Sequence, residues 1–273
     1  MSERVQWEEL PSELRNAVEA RTGPVITSEN VAEGLNCSVA LVVHTRTSGP
    51  LFLKGVRTSD AAGMVGLRCE EQINETVAGI SPTILYRFEV GGWFCLAFIY
   101  VDGRHADLSP GTEDLAAVAF TMGRMQQLIF NEPLPFGRFT FTAPQLAERF
   151  AKFLNPGEAA ALKGTNLLHT DANPHNIMIG DDCGDAYVVD WAMPAIGPAW
   201  VDPAYTAVRL MECGQTPSDA LGWLGGFASW RQADPKAVEV FVNATCRHWT
   251  ATVGEKGAEP SNARFRHLLG FPA

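Results

Sequence analysis

The chain has 273 residues and a mass of 29.6 kDa, room for one large domain or two modest ones around a real core. Its 46% hydrophobic and 19% charged residues are globular values that exclude disorder, collagen and coiled coil. With 21 basic against 31 acidic residues the net charge is −10, which argues against a nucleic-acid binder and against a polybasic membrane binder.

The charged N-terminus, residues 1–9, lacks an apolar core, so no signal peptide is expected. Residues 12–22 read as a short amphipathic helix between Pro11 and Gly23. A loop or tight turn surrounds Gly34. The runs 39–44 and 50–56 then read as strands, the second following a Thr-Ser-Gly turn. Residues 60–78 read as a helix, with Asp60 as N-cap and Gly79 and Pro82 closing it. The runs 84–90 and 93–101 read as a hairpin over Gly91-Gly92. Residues 93–101 are also the longest wholly apolar stretch, and a membrane span needs about 20.

After Asp102-Gly103 the character changes. Residues 112–130, 143–153, 157–163, 201–213, 217–231, 234–252 and 260–269 read as helical, and one strand pair, 177–180 with 186–189, interrupts them. The expected organisation is a sheet-rich lobe over 1–101 and a helical lobe over 102–273. The six cysteines are scattered with no C-x-x-C spacing, which reads as free thiols rather than a disulfide framework or a zinc site. A soluble, cytoplasmic protein is expected, monomer or homodimer.

The chemistry concentrates in residues 167–203. His169-Thr-Asp171-Ala-Asn173-Pro-His175-Asn176 precedes the strand 177–179, a turn at 181–185 with Gly184, the return strand 187–189, and Asp190-Trp191. Paired strands lie about 5 Å apart, so a hairpin here brings Asn176 and Asp190 side by side, with Asp171 in the preceding loop. Asp and Asn oxygens are hard ligands of the kind Mg²⁺ takes, and a further carboxylate can accept a proton from an alcohol. Metal, base and alcohol together are the parts of phosphoryl transfer. In the first lobe, Lys54 is the only lysine before Lys152 and lies in an otherwise apolar strand. A lysine there must reach water or meet an anion.

The pattern H-x-D-x-x-P-x-N, a hairpin and Asp-Trp resembles the aminoglycoside phosphotransferase and choline kinase group, small-molecule relatives of the protein kinases. The segment Asp202-Pro-Ala is also similar to one that follows the group's metal aspartate. The resemblance implies an α+β, bilobal, protein-kinase-like fold: a small antiparallel-sheet N-terminal lobe with one helix and a larger helical C-terminal lobe. It implies transfer of the γ-phosphoryl group of ATP or GTP, with Mg²⁺, to a small-molecule hydroxyl. The acceptor class it points to first is an antibiotic, with a choline-like amino alcohol or a sugar as the alternative.

By the same resemblance Asp171 is the catalytic aspartate, Asn176 and Asp190 hold the metal, and His169 is structural. Lys54 meets the triphosphate and pairs with a helix glutamate, Glu70, or Glu71 if the helix register differs by one. The loop from Gly34 to Ser38 covers the phosphates, and the junction Phe98 to Val101, with Tyr100, holds the base. Glu212 and Asp219 would give the acceptor pocket an acidic rim, alongside Trp191, Trp200, Trp223, Trp230 and Trp249. A protein kinase is disfavoured by Asp190-Trp191 in place of Asp-Phe-Gly and by the short run to Asp202. A catalytically inactive nucleotide-binding module has no need of Asp171. A metallohydrolase would use His169, Asp171 and His175.

Overall fold

A computed structural model of the chain describes residues 4–31, 37–130, 134–136, 139–141, 143–182 and 184–270. They form two compact units. One comprises the residues up to Arg104 together with Gly180–Ala192, and the other comprises His105–Ile179 and the residues from Met193 onward.

The first unit is built on a five-stranded antiparallel sheet: β1 (Val25–Asn30), β2 (Val39–Thr45), β3 (Gly49–Arg57), β4 (Ile84–Val90) and β5 (Trp93–Ile99), in spatial order β1-β2-β3-β5-β4. It carries two helices, α1 (Ser12–Thr22) ahead of the sheet and α2 (Ala61–Ile73) inside it. Side chains alternate across a strand. On β3, Leu51 and Leu53 join Leu14 and Val18 of α1 in one buried layer. Phe52 and Val56 join Leu67 and Met64 of α2 in the other. Lys54 shares the parity of Phe52 and Val56, so its side chain is delivered to the α2 layer.

The β4–β5 hairpin turns at Gly91 (φ 61°) and Gly92 (φ 78°). Two consecutive left-handed residues are what a type I′ turn requires, and glycine adopts them without steric cost. Asp60 caps α2 by accepting from the Gly63 N–H at 3.0 Å. The helix ends at Ile73, short of the expected 78. The side chain of Asn74 stops it: the amide donates to the Pro82 carbonyl at 2.9 Å and accepts from the Ile84 N–H at 2.8 Å, fixing the entry to β4. β1 is not among the expected elements. It is an edge strand with only Val25 and Ile26 apolar, so it lacks the alternation that marks a half-buried strand.

A short strand β6 (Gly103–His105) follows, then α3 (Leu115–Met125) and the small antiparallel pair β7 (Leu134–Phe136) and β8 (Phe139–Phe141). The segments expected as helices over 143–153 and 157–163 are a single α-turn, α4 (Leu146–Arg149), and two 3₁₀ turns, Ala151–Phe153 and Glu158–Leu162. β9 (Asn166–Leu168) precedes β10 (Ile177–Gly180) and β11 (Ala186–Val188), whose turn closes with the Gly180 N–H on the Asp185 carbonyl at 3.0 Å. β12 (Ala195–Gly197) pairs antiparallel with β9. Two strand pairs, β7–β8 and β9–β12, thus stand beyond the one expected. Each is three residues long, too short for a readable period. Gly164 and Gly197 pass in backbone contact: a Cβ on Gly164 would stand 2.1 Å from the Gly197 carbonyl.

The rest of the second unit is helical: α5 (Val201–Glu212), α6 (Pro217–Leu224), α7 (Ala228–Arg231) and α8 (Pro235–His267). The single helix expected over 217–231 is thus two. α8 merges the two expected over 234–252 and 260–269, with a break at Gly254 (φ 79°, ψ 164°). Trp200, Tyr205, Trp230, Phe241 and Phe265 make a chain of edge-on ring contacts at 5.1–6.1 Å, so Trp200 and Trp230 are core residues. Among the described residues no helix is long and apolar enough to cross a membrane.

Candidate active site

Each unit carries one cluster of chemistry-bearing side chains. In the first, the Lys54 ammonium lies 2.6 Å from Glu70 Oε1 and 2.8 Å from Asp190 Oδ1. The lysine and glutamate side chains are only 11% and 6% exposed, so the three charges meet in a low-dielectric setting. The glutamate is Glu70. Glu71, one residue on, instead takes Arg87 Nε at 2.7 Å. Burial works to strip the Lys54 proton, but the Glu70 and Asp190 carboxylates outweigh it and hold the ammonium above its ordinary range. Burial pushes Glu70 up to about 7 against the pull of Lys54. Asp190 stands at φ 64°, a left-handed conformation that Asp tolerates better than most residues. Around it, the Trp191 indole donates to the Val188 carbonyl at 3.0 Å, and the Val188 N–H donates to the Ile80 carbonyl at 2.8 Å.

Cys37 is buried in the α2 layer, and burial raises its thiol above the ordinary range. Ser38 precedes β2, its carbonyl accepting from the Val5 N–H at 3.0 Å. Gly34 lies outside the described residues. Phe98 is in the β5 ladder opposite Phe52, while Tyr100 follows the end of that strand. Burial raises the Tyr100 phenol, with Asp102, Glu29 and Asp181 adding to the effect.

The second cluster is centred on Asp171. Its Oδ1 accepts from Asn173 Nδ2 at 3.0 Å and its Oδ2 from Asn176 Nδ2 at 3.2 Å. Asn176 Nδ2 also reaches the Asp171 carbonyl at 2.9 Å, which commits the amide nitrogen and leaves the amide oxygen to face elsewhere. Arg209 Nη2 stands 3.7 Å from Asp171 Oδ1. His169 is buried, and its Nδ1 accepts from the Asp171 N–H at 3.2 Å, a structural use of the ring.

Asp202, buried at the start of α5, receives the His169 and Thr170 N–H groups, one on each carboxylate oxygen, both at 2.8 Å. Burial raises Asp202 above the ordinary carboxylate range, opposed by His169 and by those two donors. Thr170 is held at φ 67°, and its hydroxyl accepts from Arg149 Nη1 at 2.6 Å. Neither Asp202 nor Arg149 is tied to this loop by the sequence. The Asp-Pro-Ala segment was the available signal for Asp202, whereas nothing near Arg149 in the chain marks it. Glu212 is engaged by Arg209 at 2.6 Å, and Asp219 Oδ2 accepts from the Thr216 hydroxyl at 2.6 Å, so neither is an unpaired acidic rim residue.

Among the described residues no group of three or more His, Cys, Asp or Glu is placed to hold a metal ion, and His169 and His175 do not form a ligand set with Asp171. Asn176 in the second unit offers an amide oxygen, and Asp190 in the first offers a carboxylate. Each is a donor of the kind Mg²⁺ takes, an ion usually bound through one or two carboxylates with phosphate and water oxygens completing its shell.

No protein-family model and no curated protein matches the chain. Solved structures do. A protein from Haemophilus somnus, described as a candidate fructosamine-3-kinase, aligns over 94% of this chain and 97% of its own with TM-score 0.59 and 11% identity. A macrolide 2′-phosphotransferase from Brachybacterium faecium aligns over 91% and 96% with TM-score 0.52 and 15% identity. An ethanolamine kinase from Plasmodium vivax aligns over 90% and 82% with TM-score 0.56 and 10% identity. The chain therefore has the protein-kinase-like α+β fold found in these structures of small-molecule kinases.

Proposed function

We propose that this protein transfers the γ-phosphoryl group of ATP or GTP to a hydroxyl of a small molecule. The observation that carries the reading is the buried triad in which Lys54 is held charged by Glu70 and Asp190. A burial this costly is repaid when the ammonium serves a polyanion. The fold supports the same reading, because solved structures that share it are named as small-molecule kinases.

In this account Lys54 donates to the α- and β-phosphate oxygens, and Glu70 keeps it charged and aimed. Ser38 meets the phosphates, and the backbone from Phe98 through Tyr100 seats the base. Asn176 and Asp190 would hold Mg²⁺, which when bound neutralises charge on the phosphate oxygens. Asp171 orients the acceptor hydroxyl. The acceptor oxygen forms a bond to the γ-phosphorus as the bond to the β-bridging oxygen breaks. The nucleoside diphosphate leaves with that electron pair, and the hydroxyl proton passes to the Asp171 carboxylate. The proton moves late, because the transition state is loose and demands little of the base. Donors on both Asp171 oxygens hold the carboxylate in place for that task.

The first acceptor class to examine is hydroxylated antibiotics (aminoglycosides, macrolides and nucleosides), and the second is small metabolites such as amino alcohols and sugars. The test incubates the protein with γ-labelled ATP or GTP and Mg²⁺ against a panel of both classes. Label covalently bound to one acceptor is the expected result. Tight nucleotide binding with no label transferred to any hydroxyl would favour an inactive nucleotide-binding module instead.

A further inference from the structure

Asp171 is the most exposed member of the candidate machinery, its side chain 59% accessible, so its direction must be set by its neighbours. Two of these, Asn173 and Asn176, belong to its own loop. The third comes from α5. Asp202 and Arg209 are seven residues apart on that helix, two turns, and so lie on one face. Asp202 holds the backbone of the loop at His169 and Thr170. Arg209 reaches the side chain of the next residue, Asp171.

The Arg209 guanidinium is itself anchored. Its Nη1 lies 2.6 Å from Glu212 Oε2 while its Nη2 faces Asp171, and Glu212 Oε1 in turn lies 3.9 Å from Arg264 on α8. A planar fork can serve two carboxylates at once in this way, and a lysine ammonium cannot reproduce it.

We propose that Arg209 is a positioning residue for Asp171, the side-chain counterpart of the backbone clamp made by Asp202. The proposal rests on the phosphotransferase reading. Arg209 fixes the carboxylate rotamer that receives the acceptor hydroxyl, and Glu212 holds the guanidinium in place. Displacement of a reacting group by about 1 Å can cost on the order of 100-fold in rate.

The test compares wild type, Arg209→Ala, Arg209→Lys and Glu212→Gln in steady-state phosphoryl transfer to whichever acceptor the wild type uses. Arg209→Ala is expected to lower kcat by about 10- to 100-fold with nucleotide KM held within about twofold. Arg209→Lys should recover part of the loss, and Glu212→Gln should show a smaller kcat deficit of the same kind. A folded Arg209→Ala with unchanged kcat, or with a loss confined to KM, overturns the proposal. Should that variant fail to fold, unchanged kcat in both Arg209→Lys and Glu212→Gln overturns it.

A second readout needs no turnover. The Asn173 side-chain amide donates to Asp171, so its ¹H–¹⁵N resonance should move in Arg209→Ala and Arg209→Lys and stay put only if Arg209 does not set that carboxylate. A wild type that transfers no phosphoryl group but whose Asn173 amide responds sinks the phosphotransferase reading while leaving the Arg209–Asp171 placement standing. An active wild type with an unresponsive amide and unaltered kcat does the reverse.

Discussion

Thr170 and Asp190 are the two non-glycine residues with positive φ among those described, and each adjoins or belongs to one of the two clusters. Such conformations cost about 1–3 kcal/mol apiece and persist only where the surroundings over-determine them. For Thr170 the restraint is visible in Asp202, which receives two N–H groups, and in Arg149, which holds the hydroxyl. Asp202→Ala would leave both donors without their acceptor in a buried setting, at about 1–3 kcal/mol each. Urea denaturation should therefore show a loss of several kcal/mol, and a loss under about 1 kcal/mol would mean that the loop stands without its clamp. Asp171 is the opposite case, an exposed residue whose replacement should barely touch stability. Asp171→Ala is expected to lower turnover by about 10²–10⁴-fold while nucleotide affinity, read by calorimetry, stays close to wild type. Near-full activity would remove Asp171 from the chemistry.

The contact between β3 and α2 converts a buried charge into a pH dependence. Glu70 carries its proton up to about 7 in the folded chain against an ordinary 4.5. Between those values the folded state holds a proton that the unfolded state has released, so stability should fall as pH rises through that window. Lys54 is raised instead, and its contribution stays constant below its ordinary value of 10.5. Denaturation midpoints between pH 4.5 and pH 7 should decline for wild type, and Glu70→Gln should flatten that decline; an unchanged slope would show that Glu70 is not its source. The β4–β5 turn offers a purely conformational test. Gly91→Ala forces a side chain into the left-handed region, at about 1–2 kcal/mol, and sets its Cβ 3.3 Å from Pro11 at the head of α1. Thermal unfolding should show a Tm lower by several degrees.

These elements were legible to different degrees for physical reasons. Residues 12–22 and the Gly91-Gly92 hairpin carry their own end signals, and the structure has them at those residues. β1, β9 and β12 carry none, being an edge strand with a polar face and two three-residue pieces whose pairing depends on distant chain. The end of α2 depends on Asn74 meeting residues 82 and 84.

At the scale of the molecule, the residues legible in the sequence are those that speak through local pattern. Lys54 stood out as a lone lysine in an apolar strand, and strand parity turns it toward the helix that bears Glu70. Asp171, Asn176 and Asp190 stood out through spacing around a hairpin. Asp202, Arg149 and Arg209 act only through the docking of other segments against the 169–171 loop, a relation that no local window contains. The proposed transfer needs Lys54, Asp171, Asn176 and Asp190 to act on one nucleotide. A crystal structure with Mg²⁺ and a non-hydrolysable triphosphate tests this most directly. The expected result is Lys54 on the α- and β-phosphates, Asn176 and Asp190 on a shared magnesium, and Asp171 facing the γ-phosphate. A triphosphate bound away from Lys54, or a magnesium ligated by other side chains, would contradict it.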